Sequence, residues 1–242
     1  MRLSLVLLAG LLVVVDFARS QSVDTTTTNR PALVGSGPQA LVNKIDVAEL
    51  FTKGQKDGAV MFACIVDAKG DVSWNATYRP TPNSQLLERE VLKQLPGAKF
   101  VPAIHDGKLV DVVFFGTVFY SVAEGKPHLR VFANQETEEL KKESDFIAPQ
   151  PYFGGNSKFF GLHYPTQNTP VMVTAAVEFT ITVDGSGNLK NIELVSEYPP
   201  LLGFGESAMD DFRLAKFIPG HRNGKPVESK VTLTVYFQPP EA

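Results

Sequence analysis

The sequence predicts an α+β protein made of two copies of one unit, and three observations predict it. Two eleven-residue stretches nearly coincide: "AKFVPAIHDGK" runs from Ala98 to Lys108 and "AKFIPGHRNGK" from Ala215 to Lys225. The offset of 117 positions also sets Val60 on Val177, Phe62 on Phe179, Asp67 on Asp184, Gly70 on Gly187 and Thr117-Val118 on Thr234-Val235, with no gap between Ala59 and Val122. Within each copy, two β-like runs, a helical period and a final alternating run follow in the same order, which is the pattern of a mixed α+β unit. Chance similarity rarely keeps register over such a stretch, and two copies are too few for a solenoid, so a two-lobed protein is expected.

The elements follow in order. Arg2, the apolar run Leu3 to Val15, Asp16 and the small residues Ala18 and Ser20 read as a secretory signal peptide over residues 1–20, cut before Gln21. The run is shorter than the ~20 apolar residues of a spanning helix, and an uncleaved membrane anchor is the alternative. Residues 21–40, rich in Thr, Ser, Gly and Pro, read as a flexible lead-in. The first unit covers 41–122 and opens with one short amphipathic helix marked by Leu41, Val42, Ile45, Ala48 and Phe51. "VMFACIVDAKGDVSW" then reads as a hairpin, because Asp67 starts a turn and Gly70 supplies positive φ. A helix follows, with Ser84 as N-cap and Leu87, Val91 and Leu95 on one face; Pro96-Gly97 stops it.

Residues 123–174 read as a linker holding a short solvated helix, "NQETEELKKES", and a coil rich in Pro, Gly and aromatics. The second unit, 175–242, repeats the hairpin around Asp184 and Gly187, and its helix places Ala208, Met209 and Phe212 on one face. In each repeated stretch an aromatic anchor (Phe100, Phe217) and a helix-denying proline (Pro102, Pro219) precede a tight turn at Gly107 or Gly224. The last strand of the second unit alternates Val231, Leu233, Val235 and Phe237 with Lys230, Thr232, Thr234 and Tyr236, predicting one buried and one wet face. Its counterpart in the first unit carries Val113, Phe115 and Phe119 on the second face, so something must cover that sheet.

The hairpin with Asp-x-x-Gly, the helix, Phe-x-Pro and the Gly turn before a final strand together resemble the C-terminal domain of TonB. The residues that match are Phe100, Pro102, Ala103, Gly107 and Val110 in one copy, and Phe217, Pro219, Gly224, Pro226 and Val227 in the other. The resemblance implies that each unit is a three-stranded antiparallel sheet with a helix on one face. It also implies binding of a short segment of an outer-membrane receptor as an added strand. By position the candidate edge is Lys230, Val231, Thr232, Leu233, Thr234, Val235, Tyr236 and Phe237, and Val235→Pro removes a backbone donor there. The chain departs from that family in carrying two copies, a cleavable leader and no long Pro-rich spacer.

Chemistry of other kinds finds little footing. The net charge of −3 gives no basic stripe for nucleic acid. One cysteine, Cys64, excludes an internal disulfide and reads as a buried apolar residue. His105, His128, His163 and His221 have no metal-ligating spacing and read as surface side chains. Asp67 and Asp184 read as turn residues rather than an acid–base pair. No catalytic residue, metal or small-molecule cofactor is expected. The expected function is a non-enzymatic periplasmic protein that binds a TonB-dependent outer-membrane transporter or another envelope protein. The alternatives are an energy transducer anchored in the inner membrane and facing the periplasm, or a self-associating structural repeat.

Overall fold

A computed structural model describes residues 28–165 and 172–239. Residues 1–20, read as a signal peptide, therefore lie outside the described residues; among those described, no helix is long and apolar enough to cross a membrane.

The expected single N-terminal helix is two: α1 (Leu41–Lys44) and α2 (Val47–Thr52). The break falls at Asp46, whose carboxylate accepts the Glu49 amide at 2.8 Å and so starts a new helix. Strands β1 (Gly58–Val66) and β2 (Val72–Tyr78) form the predicted hairpin. Asp67 Oδ1 accepts the amides of Lys69 and Asp71, both at 2.8 Å, which closes the turn. Helix α3 (Gln85–Gln94) begins after Ser84, but that hydroxyl turns to Thr81 at 2.7 Å; Gln55 Oε1 takes the Leu87 amide instead. Leu87, Val91 and Leu95 face the sheet, fully buried as the spacing predicts.

The chain then turns through β3 (Ala103–His105) and β4 (Lys108–Val110) into β5 (Val112–Ala123). The β3–β4 turn has φ +49° at Asp106 and +72° at Gly107, the double positive φ that a two-residue hairpin of this hand requires. Strand β6 (Lys126–Phe132), helix α4 (Thr137–Lys141) and β7 (Gln150–Tyr152) occupy the span read as a linker. The second unit contains β8 (Ala175–Val183), β9 (Leu189–Tyr198), α5 (Phe204–Arg213), β10 (Lys216–Ile218), β11 (Gly220–Arg222), β12 (Lys225–Val227) and β13 (Ser229–Phe237).

The two units share geometry as well as order. Sheet order is β2-β1-β5 in one and β9-β8-β13 in the other. Val60 pairs with Val118, and Val177 with Val235, so the register is the same under the 117-residue offset. Even a ladder irregularity recurs, at Ile65/Val66 and at Thr182/Val183. Phe100 and Phe217 are buried cornerstones: Phe100 meets Phe114 edge-on at 5.0 Å, and Phe217 lies 6.5 Å from Phe212. Pro102 and Pro219 are buried beside them, while Lys108 and Lys225 are exposed.

The correspondence reaches further upstream than the sequence suggested. Arg30 bridges Ile104 and Leu33 bridges Val101; 117 positions on, Ile147 bridges His221 and Gln150 pairs with Ile218. Part of the segment read as a lead-in, 30–40, is thus packed on the first unit. Ala32 is fully buried, and the Gln150 side chain both accepts its amide at 2.8 Å and donates to its carbonyl at 3.0 Å.

Two buried clusters result. In the first, Val60, Phe62, Cys64 and Val66 pack with α3. In the second, Ala63, Tyr78 and Phe115 from the opposite face of that sheet join Phe146, Phe159 and the second unit. The doubly apolar first sheet is therefore covered by the coil and by its own sister unit. Strand β7 carries the first sheet on to β10 of the second unit, since Tyr152 pairs with Val112 of β5 and also with Lys216 of β10. Arg222 grips Glu139 of α4 through two bonds, 2.7 and 2.9 Å, and lies over the Phe146 ring at 5.0 Å.

Two outcomes are expected. Gly70 and Gly187 sit at φ +81° and +83°, where a Cβ would stand 2.1 Å from the Phe100 carbonyl oxygen and 2.0 Å from that of Phe217. Gly70→Ala and Gly187→Ala should each lower stability by about 2–3 kcal/mol in urea unfolding, to a matched extent. Second, the Arg222 bond holds the Glu139 carboxyl at about 2, below its ordinary 4.5. That stabilisation is complete above the ordinary value and disappears as pH falls through about 2. Carboxyl NMR titration should find this midpoint in the native chain and a rise toward the ordinary value in Arg222→Gln.

Candidate functional site

The candidate site is the outer edge of β13 and the groove beside it. Strand β13 lies at one end of its sheet, paired only with β8 among the described residues. In a strand, backbone donors alternate between the two sides. The Thr232 amide donates outward to Glu136 Oε1 at 2.7 Å, so the outward-facing residues are Lys230, Thr232, Thr234 and Tyr236. Val231, Leu233, Val235 and Phe237 direct their backbone groups to β8 and their side chains into the core. Val235→Pro therefore breaks the inner ladder rather than the outer edge; Thr234→Pro is the substitution that acts outward.

The second face of β13 is not wet as expected. Thr234 is buried and Tyr236 lies 5.5 Å from the Tyr78 ring, because this face packs on the first unit. Only Lys230 is fully exposed among the polar residues of the strand. Glu136 is the one carboxylate on the outward edge among the described contacts. Burial raises its pKa, and the Thr232 amide partly offsets that rise. Beside it, Arg79 pairs with Glu178.

Past Thr232 the edge opens into an apolar groove of about 220 Å³. It reaches from Thr234 and Gln238 to the second face of the first sheet, at Ile65, Trp74 and Phe115, and is bounded by Phe153, Phe159 and Leu162 of the coil. The outward amides of Thr234 and Tyr236 have no hydrogen-bond partner among the described residues.

The equivalent edge of the first unit is occupied. Strand β6 pairs antiparallel with β5 from Thr117 to Ala123, the positions matching 234–240, while β7 takes the start of β5. Neither strand is among those expected from the sequence. Alternation of Pro127, Leu129 and Val131 with His128 and Arg130 was the available signal for β6; β7 spans three residues around a proline and carries none.

The remaining polar residues serve structural contacts. Asp67 and Asp184 each bind the amides of their own turns. His221, expected at the surface, is buried with Nδ1 2.9 Å from the Pro219 carbonyl oxygen, because it lies in β11 under the Ile147 bridge. His105 is half-buried against Tyr152 at 2.9 Å, whereas His128 is exposed. His163 is exposed and meets the buried Asp211 carboxylate at 2.5 Å, which pins the coil to α5. Cys64 is buried and its thiol is pushed far up by desolvation.

Comparison with curated proteins gives no match. A family model does match, over residues 161–239, about a third of the chain. The matched stretch begins at the coil that bounds the groove and ends just past β13, so it takes in most of the site. The family whose model matches residues 161–239 is the one described as Gram-negative bacterial TonB protein C-terminal, and over that stretch the chain is similar to it.

Proposed function

We propose that the protein is an exported envelope protein that binds a protein partner by accepting its backbone as an added strand on β13. The observation that carries this reading is the open outward ladder at Thr234 and Tyr236 inside the family-matched segment. In strand addition, main-chain hydrogen bonds supply affinity and alternate side-chain pockets supply specificity. The edge offers the first, and the groove at Trp74 and Phe115 the second. The partner is an outer-membrane transporter of the TonB-dependent class or another envelope protein, and the location is the periplasm. The anchored-transducer alternative turns on residues 1–20, outside the described residues. No catalytic step is assigned.

A photo-crosslinking side chain at the exposed Gln238 of the full chain should capture an outer-membrane protein in Gram-negative envelopes, and one at Asn191 on β9 should not. Thr234→Pro should abolish capture while leaving the circular dichroism unchanged, whereas Val235→Pro should also unfold the second sheet. Equal capture from both positions, or undiminished capture by folded Thr234→Pro, would sink the reading.

A further inference from the structure

The first unit holds its own answer to what the second unit binds. Strand β6 lies on the edge of β5 with Thr117 opposite Phe132, Val118 opposite Val131 and Tyr120 opposite Leu129. Leu129 and Val131 pack on the core that contains Val118 and Tyr120, while His128 and Arg130 are exposed. The strand also packs against α1 and α2. Moved by 117 positions, the same strand would lie against Thr234 onward.

That place is where the groove lies. The positions matching α1 begin at Lys158 and are coil; Phe159 and Leu162, which bound the groove, stand at the positions of Val42 and Ile45. Val235, opposite the missing strand, is the counterpart of Val118. No described residue pairs with this edge. The cavity is apolar, as the space vacated by a Leu-x-Val segment would be.

We infer that the partner segment is an antiparallel strand patterned like β6, with apolar residues at alternate positions entering the groove on the side of Val235, Phe159 and Leu162 and the intervening residues lying along Tyr236 and Trp74. The first unit, already complemented by β6, is closed to such a segment, so the chain carries one receptor edge rather than two. Glu136 sets one limit of the pairing: its carboxylate holds the Thr232 amide, so the added strand covers Thr234 to Gln238 and ends at Thr234. The inference rests on the strand-addition reading and specifies which strand satisfies it.

The probe is the synthetic peptide KPHLRVF, residues 126–132, titrated into the full chain. Saturable binding is expected, with amide exchange slowed at Thr234 and Tyr236 and unchanged in β5. A spin label on the peptide N-terminus should broaden Gln238 more than Thr232, as antiparallel pairing demands. The rearranged peptide KPLHVRF, which moves both apolar side chains to the opposite face, should bind about tenfold more weakly or worse. Absence of binding, equal binding of the two peptides, parallel label geometry or protection changes in β5 would each overturn the inference. Capture at Gln238 that persists while KPHLRVF fails would overturn this inference alone; peptide binding without envelope capture would overturn only the envelope reading.

Discussion

One backbone contact, made twice, organises the molecule. At the tip of each hairpin a left-handed glycine presses against the aromatic corner: Gly70 O accepts the Phe100 amide at 2.9 Å, and Gly187 O accepts the Phe217 amide at 3.1 Å. The space allows no Cβ, and the conformation disfavours one. The contact ties the hairpin tip to the exit of the helix, so the helix must lie back across its own sheet. The phenylalanine then drops into the core, the proline forbids further helix, and the tight turn delivers the last strand beside the first.

Much of that chain of causes could be read from residue types. Asp67, Gly70, Phe100, Pro102 and Gly107 each have a narrow range of backbone uses, and their recurrence 117 positions later multiplies the constraint. The β1–β5 and β8–β13 pairings follow from the repeat and from alternation. The supporting pieces were hidden because their order comes from tertiary contact. Arg30 to Ala40 has the composition of a loose tail, yet Gln150 holds Ala32 from 118 residues away. "NQETEELKKES" reads as a solvated helix, and α4 has no buried residue. Its flank nevertheless supplies Asn134, Gln135 and Glu136 to a buried seam, and no periodicity marks them.

That seam explains how an apolar sheet face tolerates polar neighbours. Gln135 Nε2 donates to the Phe62 and Gly116 carbonyls, and the Gln135 amide exchanges hydrogen bonds with the Tyr78 hydroxyl. Asn134 receives the Thr117 hydroxyl at its carbonyl and donates to the Phe146 carbonyl. Buried polar groups of this kind cost several kcal/mol if left alone and little when paired, so the seam holds Asn134 and Gln135 against the first sheet. The second face of the first sheet is thus shaped by what it packs on: large apolar contacts against the second unit, amide bridges along the border, and a groove where neither reaches.

The shared strand has a consequence for how the chain can be divided. Because β7 is bonded to β5 on one side and to β10 on the other, it belongs to both halves at once. A cut upstream of it strips β5 of that rung; a cut downstream leaves β10 without its partner strand. Neither half is a self-sufficient fragment, and the two behave as a spliced pair whose smallest intact piece is the whole.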